Sequence, residues 1–555
     1  MRKQAALASL LALAASLLIT VNARATDYFV APAGSDTHAG TSLAAPFQTI
    51  THAVQMAGPG DSVLIRGGTY REQVDLGGSR CGLPGQPLTI RNYKEETVIL
   101  KGSDVVKGWT LDHKAVWKKT GWTVNSQQVF ADGRPLQQIG AEDPFETDKV
   151  DTGDGTGAPD LRLPPTGKDL NDVMPGSFYY DGAAHVLYCE MSDKSDPNKH
   201  LMEASVRHTV LTGYGKSYVN LHGLSLVACN GTSEGDYSGV LQTDGSHWTI
   251  DACTFQYGDF CGVRLGGTDH VIRNCHILDN GDVGINLSGS DSAHSFGVWQ
   301  NRPPQHILLD ALVVTGNNYR HFDEAWHSGG IKVIPSARDV TVRGCKVSNN
   351  RGTGIWFDTD WGNIVIEGNF VYKNDAGIAY EISRPLPNDG FGAMIRNNRV
   401  IENKGQGIYV SASQGAVVEN NTCSGNDFDI VIHGMPRGGS SGPLSLQNNV
   451  VANNIVNAKQ VDIVLYQGPD ASNNRLDGNY YVSSTGQITL SLANTPNYNV
   501  TIQNLETARL STEFERHGKS GDPEWRNAAS LDFRLRPGSP AAGKGWQASS
   551  AVPSK

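Results

Sequence analysis

Two carboxylic acids stand 23 positions apart at matching places in a repeated pattern. Asp358 lies in Gly354-Ile355-Trp356-Phe357-Asp358-Thr359-Asp360, and Glu381 in Gly377-Ile378-Ala379-Tyr380-Glu381. If the pattern winds one short strand per coil, both carboxyls face the same way on neighbouring coils, with backbones about 4.8 Å apart. A carboxyl pair ~5 to 5.5 Å apart suits double displacement at an acetal carbon: one acid attacks, the other protonates the leaving oxygen. Like charges this close resist double ionisation, so one of the two tends to keep a proton for acid/base work. Asp360 shares the parity of Asp358 and faces outward too if the strand runs on, as a replacement nucleophile or a holder of substrate hydroxyls.

Neighbouring positions supply groups that bind sugar. Trp356, Tyr409 and, just past the strand, Trp361 offer flat apolar faces to the C–H faces of a pyranose. Lys332 and Arg264 share the outward parity and can donate to hydroxyls or to an acidic sugar. His433 falls one coil beyond Ser411, and Asp323, Glu324 and His327 sit in the long segment from Tyr319 to Ser328 that precedes the strand. Insertions at 288–305, 384–391 and 434–443 follow the strand in their coils, so walls are expected around one part of the groove. Outward acids on a coil are ordinarily solvated surface. Here the aromatic residues and the loops converge on the same stretch, and that convergence favours a site.

The elements that position these groups follow from spacing. Between Val240 and Tyr481 the sequence repeats every 22 to 24 residues or so wherever no loop intervenes, which is the signature of a solenoid. Cys253, Cys275, Cys345, Asn369, Asn398, Asn421 and Asn448 align in one column. Gly258, Asn280, Asn350, Asn374, Asn403, Asn426 and Asn453 align five positions on. An Asn recurring once per coil suits a tight turn whose amide bonds to the coils above and below, so these residues are structural glue. Strands such as Gly330-Ile331-Lys332-Val333 and Gly407-Ile408-Tyr409-Val410 alternate aliphatic residues inward and variable ones outward. The expected fold is all-β: a right-handed parallel β-helix with an N-terminal capping helix over Pro46 to Ala57 and an inserted antiparallel module. Leu531 to Leu535 reads as the last strand.

The N-terminus reads as an export signal, with Arg2 and Lys3 before an apolar run from Ala5 to Val21 and a small-x-small site at Ala23-Arg24-Ala25. The expected divisions are a signal peptide at 1–25, a cap and first coils at 26–102, an inserted module at 103–205, the main helix at 206–545 and a tail at 546–555. Export implies a secreted or periplasmic protein with no membrane span. Removing Arg2, Lys3 and Arg24 takes the net charge from −10 to −13, which disfavours nucleic acid and anionic membranes as partners. The eight Cys lack metal-ligand spacing, so buried thiols with at most one bridge, Cys253 to Cys275, and no metal are expected. Nothing in the spacing dictates an oligomeric state.

The opening segment, Tyr28-Phe29-Val30-Ala31-Pro32 through Pro59-Gly60-Asp61-Ser62-Val63 to Gly67-Gly68-Thr69-Tyr70-Arg71, resembles the first coil of secreted pectate-lyase-like β-helix proteins. The insertion after the first coils, together with Trp356-Phe357-Asp358 and Tyr380-Glu381-Ile382-Ser383, is similar to the β-xylosidase type of glycoside hydrolase, a β-helix interrupted by a β-sandwich. The resemblance implies an Asp nucleophile at Asp358 and a Glu acid/base at Glu381; a carbohydrate substrate and no cofactor are expected. Glu324 is the nearest candidate for the family's further active-site acid. Two alternatives stay open. One is a polysaccharide lyase or C5 epimerase acting on a uronic-acid polymer, with Lys332 as base and Arg351 or calcium on Asp358, Asp360 and Glu381 as charge stabiliser. The other is a non-catalytic glycan-binding protein.

Overall fold

The structure is a computed structural model. It describes residues 25–547 apart from 141–166, 232–237, 290–300, 387–389, 435–437 and gaps at 323, 325, 326, 440, 441, 444, 467, 469, 470, 486, 487, 496 and 497. The export signal expected at 1–25, save Ala25, most of the expected tail and Asp323 lie outside the described residues.

Three sheets of 13 strands each run along the chain. One coil shows how they arise: Ile364–Glu367, Phe370–Tyr372 and Ala376–Glu381 each belong to a different sheet, and Ala393–Arg396 begins the next coil on the first. Gly368 (φ 67°), Lys373 (φ 57°) and Ile382 (φ 51°) stand in the left-handed region between or after these strands, which makes the corners. Pairing is parallel from coil to coil, so the fold is a parallel β-helix with the right-handed winding that parallel crossovers take. Inward residues of successive coils, Ile355, Ile378, Ile408 and Ile430, and Phe357, Tyr380, Val410 and Ile432, stack in one continuous core.

Two asparagine ladders line the corners, with some membership other than the sequence columns predicted. In the first, the Oδ1 of Asn398, Asn421, Asn454 and Asn479 each accepts from the backbone and amide nitrogens of the Asn one coil before. Asn454 takes the place expected for Asn448, because the loop after His433 shifts the apparent repeat. Glu515 closes this ladder, accepting from Asn479 Nδ2 at 2.7 Å and from the Tyr481 hydroxyl at 2.9 Å. The second runs through Asn280, Asn317, Asn350, Asn374, Asn403 and Asn426. Asn317 had been missed because its coil carries the 288–305 insertion, and Asn453 instead accepts from Lys544 at 2.6 Å.

The capping helix spans Ile50–Met56 and lays Ile50, Ala53 and Val54 on the open core. At the far end a second helix, Leu505–Ser511, does the same with Leu505 and Ala508. The expected last strand is not a coil: Asp532–Leu535 forms a hairpin with Trp525–Asn527, and the last parallel rung is Lys519–Gly521. Between Ser103 and Ser205 the chain forms sheets of four and five strands, largely antiparallel, around Trp109, Phe178, Leu187 and Met202. All eight thiols are free and buried, so the possible Cys253 to Cys275 bridge is not made; the Cys253 N–H instead donates to Cys275 Sγ at 3.4 Å.

Candidate active site

The sheet bearing Asp358 and Glu381 places them as Cα partners on adjacent strands, Thr353–Asp358 and Ala376–Glu381. Ile355 and Phe357, and Ile378 and Tyr380, point into the core, so alternation sends both acids to the outer face. The asparagine ladder sets where these strands begin. A Cβ on Gly354 would meet Gly377 O at 2.7 Å and Asn374 Nδ2 at 2.9 Å, which is why glycine recurs there. Their ends are set by strain: Thr359 (φ 62°) and Ile382 (φ 51°), both β-branched, take left-handed angles directly after the two acids. Such residues cost of order 1–3 kcal/mol each and persist only where the surroundings hold them.

That turn corrects the expectation for Asp360. The strand stops at Asp358, and Asp360 swings beneath it, 1% exposed, its Oδ1 accepting from Ala337 N at 2.8 Å and its Oδ2 from Asp358 N at 3.1 Å. Its own N–H donates to Ser383 Oγ at 2.9 Å. Burial pushes this carboxyl well above the usual range. Asp360 is a corner residue that supports the floor of the site.

Asp358 is held at both oxygens. Oδ2 accepts from Lys332 Nζ at 2.8 Å and Oδ1 from the Thr359 hydroxyl at 2.9 Å. Lys332 is 1% exposed and its ammonium lies 3.1 Å from the centre of the Trp356 ring on the next rung. Burial pushes the Lys332 ammonium down, against the pull of Asp358 first and then of Glu381 and Asp360. Lys332, expected at the substrate, is thus buried with its ammonium bonded to Asp358. Trp356 is likewise not an open platform, since the ammonium covers one face of its ring and the residue is buried.

Along the same outer face, register places Tyr409 opposite Ala379, and Ser411 opposite Glu381 and then His433. Tyr409 and His433 are half-buried, their ring centres 6.5 Å apart, with Tyr466 beyond at 5.9 Å from His433. Trp361 is half-buried on the corner, with the Arg384 guanidinium 5.7 Å from its ring centre. In the other direction Arg264, Asn286 and Lys332 form one column. His327 folds over it: Nε2 meets Asn286 Nδ2 at 2.8 Å and Nδ1 is bonded to Asp282. With the amide nitrogen donating, the imidazole carries its proton on Nδ1, toward Asp282.

Glu324 is not brought to the pair. It bonds Arg351 at 3.3 Å and borders Asp375, and burial, then Asp375, pushes its carboxyl up. Arg351 and Asp375 precede the strands that Asp358 and Glu381 end, and six residues of strand span roughly 17 Å. Buried polar atoms without hydrogen-bond partners on this outer face include Asn286 Oδ1, Trp356 Nε1 and Ser411 Oγ. Asn286 and Asp282 were not singled out in the sequence, and Ser411 entered only as a position in the outward column. The outward parity of Asn286 and Ser411 was the available signal, whereas Asp282 is tied in only by a loop contact.

Comparison with known proteins agrees with this architecture. The family profile described as "Right handed beta helix region" matches residues 238–389, and that described as "Pel9A-like, right handed beta helix region" matches residues 28–157. A lacto-N-biosidase of Bifidobacterium longum subsp. longum is 31% identical over 552 residues, covering 84% of this chain and 34% of that protein. Pectate lyase PEL9 of Emericella nidulans is 38% identical over 81 residues, 15% of this chain and 20% of that one. The chain thus spans at most about a third of either relative's length. Among solved structures, the complex of XylC with xylose superposes with a TM-score of 0.63 at 16% identity, over 90% of this chain and 87% of that one. The chain is a pectate-lyase-like right-handed parallel β-helix protein whose overall form resembles XylC. Among the described residues no helix is long and apolar enough to cross a membrane.

Proposed function

We propose that the protein is a carbohydrate-active enzyme, a retaining glycoside hydrolase of xylosidase-like type acting on an oligosaccharide or polysaccharide outside the cytoplasm. The observation that carries this reading is the in-register pairing of Asp358 and Glu381 on adjacent rungs of one outward face. Asp358 attacks the anomeric carbon as Glu381 gives its proton to the leaving oxygen. Water then attacks the anomeric carbon of the glycosyl ester, Glu381 takes a proton from that water, and the bond to Asp358 breaks to release its carboxylate. Tyr409 offers the more open aromatic face for a sugar ring, with His433 beside it. The likeness to XylC and to a lacto-N-biosidase supports this reading.

The lyase reading is less well supplied. It asks Lys332 for a free amine, and in its calcium form it asks Asp358, Asp360 and Glu381 to converge on one ion. Lys332 is bonded to Asp358, and the Asp360 oxygens are taken by backbone N–H groups. The test is a screen of aryl glycosides beside uronic-acid polymers, with and without chelator. The expected products are new reducing ends with no ultraviolet-absorbing unsaturated sugar; a chelator-sensitive unsaturated product would establish a lyase instead. Glu381→Gln is expected to slow hydrolysis of poor leaving groups by about 10²- to 10⁴-fold while sparing activated aryl leaving groups far more. Equal losses on both would remove Glu381 from the role of acid. Glycan retention with no product, unchanged in Asp358→Asn, would mark a binding protein.

A further inference from the structure

The inserted module and the coils each pack a core of their own, around Phe178 and Leu187 in the one and along the stacked rungs in the other. Where the two meet they leave a cavity of about 240 Å³, walled by side chains between Gln127 and Gln138 of the module, by Gly176, and by Tyr319 and Arg320 of the loop that carries His327. One water takes up ~30 Å³ of liquid, so the space holds more than a stray solvent molecule. Its polar walls are mostly amides, from Gln127, Gln128, Gln137 and Gln138. Arg320 is the charged residue among those lining it, and its guanidinium is bonded to the buried Asp259, so the wall carries no net charge.

The hydrogen bonds in this wall have a direction. A guanidinium donates and never accepts. Arg320 Nη2 donates to Gln138 Oε1, which fixes that amide and turns its Nε2 to Gln127 Oε1 at 3.1 Å. Gln127 is fixed in turn. Its side-chain oxygen is taken, its backbone N–H donates to Asn230 Oδ1 at 2.7 Å, and its Nε2 has no hydrogen-bond partner among the described residues although the residue is 5% exposed. Gln128 is by contrast fully used, donating to Cys229 O at 2.8 Å and Tyr257 O at 3.0 Å and accepting from the Tyr319 hydroxyl. The chain of donors that starts at Arg320 therefore ends at the cavity wall on an N–H group in need of an acceptor, and a buried donor left unmatched is costly.

We propose that this cavity is a second sugar site, which takes one neutral sugar residue with a hydroxyl, ring or acetamido oxygen accepting from Gln127 Nε2 and a C–H face against Pro135 and Leu136. An anion finds the guanidinium already paired, and a cation finds no carboxylate in the lining. The choice of a sugar as occupant rests on the carbohydrate reading above. The site is separate from the acid pair. The backbone N–H groups of Tyr319 and Arg320 donate to Asn280 O and Gly281 O, ahead of the strand Val283–Leu287, whereas Asp358 stands at the far end of a strand two rungs on. A strand length of ~17 Å lies between them. The cavity therefore holds a sugar other than the reacting ring.

The test is a titration of the full chain, labelled with ¹⁵N at its glutamine side chains, with D-xylose and N-acetyl-D-glucosamine as neutral probes and D-glucuronate as a charged one. The Gln127 amide signal is assigned by its loss in Gln127→Met. Saturable movement of that signal is expected with at least one neutral sugar, and binding of D-glucuronate is expected to be weaker. In Gln127→Met, followed at the Gln138 signal, the neutral sugar is expected to bind about tenfold more weakly. A Gln127 signal unmoved by both neutral sugars overturns the proposal, as does unweakened binding in the folded variant or equal binding of D-glucuronate. If Gln127→Met does not fold, Gln127→Asn, which keeps an amide but withdraws it from the cavity, serves for both assignment and affinity. Turnover plays no part in the readout. Movement at Gln127 in a protein that cleaves no glycoside upholds the site while the hydrolase reading fails, and glycoside cleavage with Gln127 unmoved does the reverse.

Discussion

Asp358 and Glu381 share their outer face with polar residues of every kind, and each is followed by a β-branched residue in the left-handed region, at a corner that the next rung repeats with Ala412 (φ 46°) after Ser411. A β-branched residue at positive φ is an expensive way to end a strand, and here it turns Asp360 and Ser383 under the floor while leaving the acids on top. A second buried acid gives a test at the same scale. Asp429 accepts from Asn426 Nδ2 at 2.8 Å and Asn457 N at 2.5 Å, and burial pushes its carboxyl up to about 8. The ordinary value is about 3.9, so between about pH 4 and 8 the folded chain keeps a proton that the unfolded chain has released. Stability therefore falls as pH rises through that window. Asp429→Asn, which mimics the neutral acid, is expected to flatten the fall; Tm measured across the window checks this, and an unchanged slope counts against it.

At the scale of elements, the strands are held in register by ladders as much as by the core. Asn398 is 0% exposed and serves four partners: it accepts from Asn369 N and Nδ2 at 3.0 Å each, and donates to Ile366 O at 2.8 Å and Asn421 Oδ1 at 3.0 Å. Asn398→Ala leaves a buried N–H and a buried carbonyl without partners, at a cost of about 2–4 kcal/mol. A clear fall in Tm is expected, with denaturant titration as the check. A loss near zero would show that the ladder contributes order without stability. Because the amides of the second ladder pack against the glycines that open the site strands, as Asn374 does on Gly354, that ladder fixes where Asp358 ends up.

Over the whole molecule, the inserted module does more than interrupt the helix. Arg320, on the segment that carries His327, bonds both Asp259 of the coils and Gln138 of the module, and Tyr319 bonds Gln128 of the module. The module thereby braces the loop that lays His327 over Asn286, beside Lys332. Arg320→Ala strands the buried Asp259 carboxylate, which costs about 3–5 kcal/mol when a buried pair loses one partner. The expected result is lower Tm with limited proteolysis moving into 319–328; cleavage elsewhere with an intact loop would show that the bracing lies in other contacts.

The architecture and the acid pair were legible in the sequence because both depend on local periodicity: a repeat of about 22 to 24 residues with alternation inside each strand fixes which residues face out and which coils are neighbours. Legibility failed wherever a loop or corner broke the period. Asn317 and Asn454 were missed or displaced by insertions, and Asp360 was sent outward by a parity that ends at Thr359. Lys332 was visible as an outward cation, yet its partner was not. Whether an ammonium meets a sugar or the Asp358 carboxylate depends on a side-chain path across Trp356, and such a path exists only once two rungs are stacked. Sequence spacing determined the rungs; contacts between rungs, and between rungs and loops, decided what each charge is paired with.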